Sequence, residues 1–141
     1  LQSNLIKEDM GKLRRRSKSK ATRDRADREL QDAYRRKYKG KPCEVCGKAF
    51  EVCHHHLEKS KSNQGRYYHK NLIFLCFKCH AKLHFGDNNI IAVYSTKRGR
   101  KWVADMVELK KIRRSAYSKK ELEKLIKKYQ KWKQKEQQAP F

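Results

Sequence analysis

Six histidines and five cysteines stand between Cys43 and His84, and no other position of the chain carries either residue. Thiolate and imidazole are the side chains that hold transition metals, so the spacing within this segment decides what chemistry it could do. Cys43/Cys46 and Cys76/Cys79 form two CxxC pairs. Each short turn presents two thiolates to one ion, and four thiolates close a tetrahedral zinc site that staples a small fold. A disulfide framework is disfavoured in a chain with no visible secretion signal. Cys53 lies outside the pattern and reads as a small buried hydrophobe.

His80 and His84 are four residues apart, so on a helix they share a face and can grip one metal together. Cys79 points about 100° around that helix from His80, so one short helix can serve two sites with different ligand types. Two helix imidazoles and one from the His54–His56 run make three ligands and leave positions for phosphate oxygens and water. Metal-assisted phosphodiester cleavage needs this arrangement. The ion stabilises charge on the leaving oxygen, while a neutral imidazole, with an ordinary pKa of about 6.5, takes a proton from the attacking water. The three consecutive histidines leave the register open. On an ideal strand His54 and His56 share a face and His55 points opposite, so His54 can replace either partner.

The charge distribution names the partner class. Across 141 residues, 38 Lys and Arg oppose 15 Asp and Glu, for a net charge of +23. Residues 1–41 hold 15 basic and 6 acidic side chains, residues 42–96 hold 7 and 4, and residues 97–141 hold 16 and 5. Two basic arms thus flank a nearly balanced centre, which favours a polyanion through counterion release. Length excludes a large two-core enzyme. With 37% hydrophobic residues and a mean hydropathy of −1.12, the core is small and a cross-link should help it. No apolar run reaches the roughly 18 residues of a membrane span, and no signal peptide is visible. The expected location is the cytoplasm, without secretion.

The elements that must position these groups follow from periodicity. Residues 1–21 contain the run Arg14-Arg15-Arg16-Ser17-Lys18-Ser19-Lys20 and read as a flexible basic arm. Residues 22–41 form a helix with Ala26, Leu30, Ala33, Tyr34 and Tyr38 on a narrow apolar stripe, stopped by Gly40 and Pro42. Residues 42–88 make the compact module. It comprises a knuckle at Cys43–Gly47, a strand from Ala49 to Leu57, a polar loop from Lys59 to Arg66, and a short helix over Phe77–Phe85 stopped by Gly86. Residues 89–141 form a DNA-binding extension of two helices. One carries Trp102, Met106, Leu109 and Ile112 on a face. The other opens on the capping box Ser118-x-x-Glu121 and continues with Leu122, Leu125, Ile126, Tyr129 and Trp132.

The series Cys53-His54-His55-His56-Leu57, His69-Lys70-Asn71-Leu72-Ile73 and Cys76-x-x-Cys79-His80-x-x-x-His84 resembles the HNH, or ββα-metal, endonucleases. From His55 to His84 it also resembles the colicin-type nucleases. The resemblance implies an α+β fold, a small ββα-metal core with a four-cysteine zinc site flanked by basic helices. It implies His55, His80 and His84 as ligands of the catalytic ion, His56 as general base, and Asn71 as the residue holding the loop and the base. The cofactors would be a structural Zn²⁺ and a catalytic divalent ion such as Mg²⁺, Mn²⁺, Ni²⁺ or Zn²⁺. The acidic and Arg residues before the histidine pair of colicin nucleases have no counterpart, since Ala49 and Cys53 stand there. Arg66, Lys59 and Lys82 are the candidate phosphate contacts instead.

A narrower set, Ser60-x-Ser62, Arg66-Tyr67, Asn71 to His80 and the trailing helices, is similar to phage NinG/Rap-like recombination proteins, which implies branched or junction DNA as substrate. The expected activity is hydrolysis of double-stranded or branched DNA. One metal site per chain cuts one strand at a time, and the C-terminal apolar stripes offer a homodimer surface. The rival reading is a non-catalytic, zinc-stapled nucleic-acid-binding module. It explains the basic arms and cysteines but leaves the second ligand set without a purpose.

Overall fold

The computed structural model describes the backbone of residues 2–138 and the side chains of residues 20–135. Its elements in chain order are α1 (Gln2–Lys37), β1 (Val52–His55), a 3-10 turn (His69–Asn71), β2 (Leu72–Leu75), α2 (Phe77–His84), α3 (Asn89–Arg98), α4 (Arg100–Lys111) and α5 (Lys119–Gln138). The architecture is α+β, as the sequence implies. The chain forms two compact units. One takes in residues up to Ala33 together with those from Tyr117 onward, and the other is Tyr34–Ala116. No helix among the described residues is long and apolar enough to cross a membrane.

The first unit is helical. On α1, Ala26, Leu30 and Ala33 are buried, and on α5, Leu122, Ile126 and Tyr129 are buried. Both sets follow the i, i+4, i+7 spacing of one apolar stripe. Lys133 Nζ reaches Glu29 at 2.5 Å and Asp32 at 3.1 Å, joining the two helices beside the stripe. The capping box forms: the Glu121 amide donates to Ser118 Oγ and the Ser118 amide to Glu121 Oε1, each at 3.2 Å. The N-terminal expectation needs correction, because α1 starts at Gln2 where a flexible arm to residue 21 is expected. Arginine and lysine are good helix formers, so a basic run is compatible with extending the helix.

The second unit is built on a two-stranded antiparallel sheet in the register Val52↔Leu75, Cys53↔Phe74, His54↔Ile73 and His55↔Leu72. Ile73 and Leu75 join a buried cluster with Cys43, Cys76, Cys79, Ile90, Tyr94, Trp102, Met106 and Leu109. On the sheet's other face, Phe74 packs against Phe50, Tyr34 and Tyr38. The core therefore continues through α3 and α4, where the sequence reading closes it at residue 88. The sequence also yields two helices after that point, and the described residues form three. Gly99, at φ +96°, separates α3 from α4, and α3 carries too mixed a pattern to announce itself.

One ion pair clasps this unit. Arg98 Nε and Nη2 donate to the two Glu44 carboxylate oxygens at 2.6 and 2.8 Å, with Nη2 also on the Leu72 carbonyl and Nη1 on that of Lys70. The Glu44 carboxylate accepts from the Phe74 amide as well, at 2.7 Å. Knuckle, β2 and α3 are thus joined by a bidentate, partly buried pair of the kind whose disruption strands a charge. At constant metal content, Arg98→Met should lower stability by about 3 kcal/mol in urea unfolding. Lys111→Met, which breaks an exposed pair with Glu108, should leave it within experimental error. Equal effects would show that the clasp is not structural.

Candidate active site

The four-sulfur site assembles from two turns. In the knuckle, the Cys43 amide donates to the Lys48 carbonyl and the Gly47 amide to the Cys43 carbonyl. Gly47 has φ +81°, which only glycine adopts without strain. The second pair caps α2, where Cys76 Sγ accepts from the Cys79 amide at 3.4 Å. The four Sγ atoms all lie within 4.8 Å of one another, and Cys46 and Cys76 Sγ are 3.6 Å apart. A tetrahedral ion with metal–sulfur bonds of about 2.3 Å sets sulfurs about 3.8 Å apart, so these residues fit one. The Lys48 backbone, followed by the other cysteines, draws the exposed Cys46 thiol down to about 7 against desolvation. Burial, then the neighbouring thiols, push Cys79 up. Four thiolates this close repel one another, and a cation relieves that repulsion. Cys53 stands apart on the buried face of β1, its thiol pushed up to about 12 by burial, as an inert core residue should be.

The pleat of β1 sorts the histidine run. His54 lies on the face toward α2. Its ring centroid is 5.3 Å from that of His80 and 6.4 Å from that of His84, and the latter two are 4.4 Å apart with Nε2 atoms at 3.0 Å. Nitrogens bound to one ion at about 2.0–2.1 Å sit roughly 3 Å apart, so the His80–His84 pair has the reach of two ligands. Burial, then the nearby His80, lowers His54 to about 3, and burial followed by His84 lowers His80. His54 therefore stays neutral near pH 7, with a lone pair to give.

His55 points to the opposite face and is buried, its Nε2 2.7 Å from the Arg66 carbonyl. A carbonyl only accepts, so Nε2 carries the proton and Nδ1 the lone pair. The expectation that His55 joins His80 and His84 is corrected by this geometry, because adjacent strand residues face opposite ways. His56 returns to the face of His54 but lies over α3 and α4. Its Nδ1 is 2.7 Å from the Tyr94 hydroxyl and its ring is 4.9 Å from that of Trp102. Burial, then Arg98, lowers its pKa. Its ring fills an aromatic niche beside Tyr94 and Trp102.

Asn71 is fully buried. Its Oδ1 accepts from the Leu57 amide at 2.8 Å, and its Nδ2 donates to the carbonyls of Leu57 at 3.1 Å and Gly65 at 2.9 Å. It holds both ends of the 57–65 loop; the carbonyl on His55 belongs to Arg66, the next residue. Gly65 must lack a side chain, since a Cβ there would meet Asn71 Nδ2 at 2.8 Å. Arg66 is a correction: it is buried, and its Nη1 donates to the Lys59 carbonyl at 3.3 Å, so it braces the loop. Lys59 and Lys82 are exposed. His69 is exposed, and its Nδ1 pairs with the Tyr34 hydroxyl at 3.0 Å.

These parts occur in one order along the chain: a thiolate knuckle, a strand with histidines, a buried Asn, a second strand, and a helix with thiolates at its start and histidines at its end. Residues 43–86 match the family model described as HNH endonuclease. This segment is similar to the HNH endonucleases. No curated protein and no solved structure matches the chain.

Residues outside the HNH segment complete its packing, and sequence reasoning missed them in this role. Tyr94 and Trp102 receive His56, and Trp102 Nε1 also donates to the Lys70 carbonyl at 2.8 Å. Only their aromatic, half-polar character hinted at a buried partner. The sulfur site of this segment yields a direct test. Cys76→Ser should abolish the bound ion and lower the melting midpoint by roughly 10 °C or more. Cys53→Ser should keep the full ion content, read by elemental analysis. Loss of the ion from Cys53→Ser alone would refute the ligand set.

Proposed function

We propose that the protein is a divalent-metal-dependent DNA endonuclease, with Zn²⁺ stapling the four cysteines and a second ion held by His54, His80 and His84. The carrying observation is that His80 and His84 place their Nε2 atoms 3.0 Å apart, with the His54 ring facing theirs at 5.3 and 6.4 Å, in a segment matching the HNH endonuclease model. A bound divalent ion there supplies Lewis-acid stabilisation of a scissile phosphate and its leaving oxygen.

The chain's own residues do the rest. His54 stays neutral through burial and offers a ligand nitrogen. His55, with Nε2 anchored on the Arg66 carbonyl, holds its lone pair on Nδ1 and is the base that takes a proton from the attacking water. The anchor fixes the tautomer and stabilises the imidazolium that results, as a carboxylate or carbonyl does for a catalytic histidine elsewhere. Asn71 keeps the 57–65 loop, and hence that carbonyl, in place. Lys59 and Lys82, both exposed, are the contacts for phosphate oxygens. His56 is a positioning residue that locks the end of β1 onto α3 and α4. The net charge of +23 suits duplex or branched DNA, including junctions.

The test is nicking of supercoiled plasmid, alongside linear and four-way substrates, with Mg²⁺, Mn²⁺, Ni²⁺ or Zn²⁺. His54→Ala should lose the second ion and the activity. His55→Ala should keep that ion and lose at least about 100-fold in rate, while His56→Phe should retain most turnover. If His55→Ala cut as fast as the parent and His56→Phe were inert, the base assignment would be wrong. DNA binding without cleavage under every metal would favour the zinc-stapled binding module.

A further inference from the structure

The outer face of α5 carries a feature that the HNH site does not use. An open groove of about 380 Å³ is lined by Lys124, Lys127, Lys128, Lys131, Trp132 and Lys135, with no acidic side chain among them. Lys124, Lys128, Lys131 and Lys135 follow the i, i+4, i+7, i+11 spacing of one helical stripe, about 16.5 Å long at 1.5 Å per residue. The helix sorts its lysines. Lys133 turns inward and is neutralised by Glu29 and Asp32, whereas none of the five groove lysines has a carboxylate partner among the described residues. Lys128 Nζ lies 5.4 Å from the Trp132 ring centroid, so the indole forms an apolar bed for the lysine stems.

We propose that this groove is a second, non-catalytic DNA-binding site, which takes the sugar–phosphate backbone of a duplex without reading its bases. Identifying the polyanion as DNA rests on the nuclease reading. Five lysines of one groove, without carboxylate partners among the described residues, can replace condensed counterions along a strand whose phosphates recur every 3.4 Å of helix axis. A membrane surface fits less well, because Leu122, Ile126 and Tyr129, the apolar face that would enter lipid, are buried within the same unit. Nothing in the groove offers the paired donors and acceptors that base recognition requires.

The test is fluorescence anisotropy of a short labelled duplex with the full chain, over a salt series and without added divalent metal. The variant replaces Lys124, Lys127, Lys128, Lys131 and Lys135 by Gln. A control replaces the exposed Lys39, Lys48, Lys101, Lys110 and Arg113 by Gln, with the same loss of charge. The groove variant should bind at least tenfold more weakly near 0.1 M salt, and its log K against log salt slope should be shallower by about 4. The control should keep most of the affinity and the slope. Equal losses in both variants would show a bulk-charge effect and overturn the site, as would unchanged binding by the groove variant. Loss of binding to phosphatidylserine vesicles with unchanged DNA binding would assign the groove to membranes instead. Should the fivefold variant lose its helical circular dichroism, Lys124→Gln/Lys131→Gln should still reduce the slope by about 2. Because no cleavage is measured, failure of the nuclease reading would appear only in the plasmid assay.

Discussion

A β-strand alternates its side chains, and in this protein that alternation distributes three identical residues among three surroundings. His54 is turned toward α2, His55 toward the loop, and His56 back onto α3 and α4. The sorting holds only while β1 keeps its register with β2, since a slip of one residue would exchange the faces. Register is protected from both sides. Cys53 and Phe74 are locked into a buried face, while Ile73 and Leu75 are locked into the cluster beneath α3 and α4. Asn71, directly before β2, ties the loop that follows β1 to the start of its partner strand.

The helix α2 extends the same economy. Cys76 caps it and Cys79 lies in its first turn, with His80 next along the helix and His84 at its end. Negative thiolates are favoured at a helix N-terminus, where backbone amides stand unpaired, and the Cys79 amide does meet Cys76 Sγ. His84 sits where carbonyls end the helix and where neutral or cationic groups are tolerated. One eight-residue helix therefore couples the element that staples the fold to the one proposed to do chemistry. With so little hydrophobic surface, such a unit gains from every cross-link. The Glu44–Arg98 clasp and the His56–Tyr94–Trp102 contact bind the HNH segment to helices beyond its end.

Much of this is legible in the linear sequence, and the limits have physical causes. The CxxC pairs, the i, i+4 histidines and the Ser118–Glu121 cap depend on local geometry, which spacing alone determines. Assigning His54, His55 and His56 depends on which face of β1 meets α2, a tertiary fact that three equal residues in a row do not encode. The same is true of Arg66. As a cation in a polar loop it reads as a phosphate contact, but its guanidinium turns inward to the Lys59 carbonyl. The boundary at residue 88 reflects where the motif stops, whereas the core stops only when Leu109 has been buried. Helix α3 escapes notice because its buried residues, Ile90 and Tyr94, are too few to mark a stripe.

The most direct test of the account is X-ray absorption on protein loaded with zinc at the sulfur site and cobalt or nickel at the other. Two ions per chain are predicted, one with a sulfur-only shell and one with three imidazole nitrogens at about 2.0–2.1 Å. The imidazole shell should be lost in His54→Ala and kept in His55→Ala. A single ion per chain, or a nitrogen shell that survives removal of His54 but not of His55, would contradict the sorting on which the structure's proposed chemistry rests.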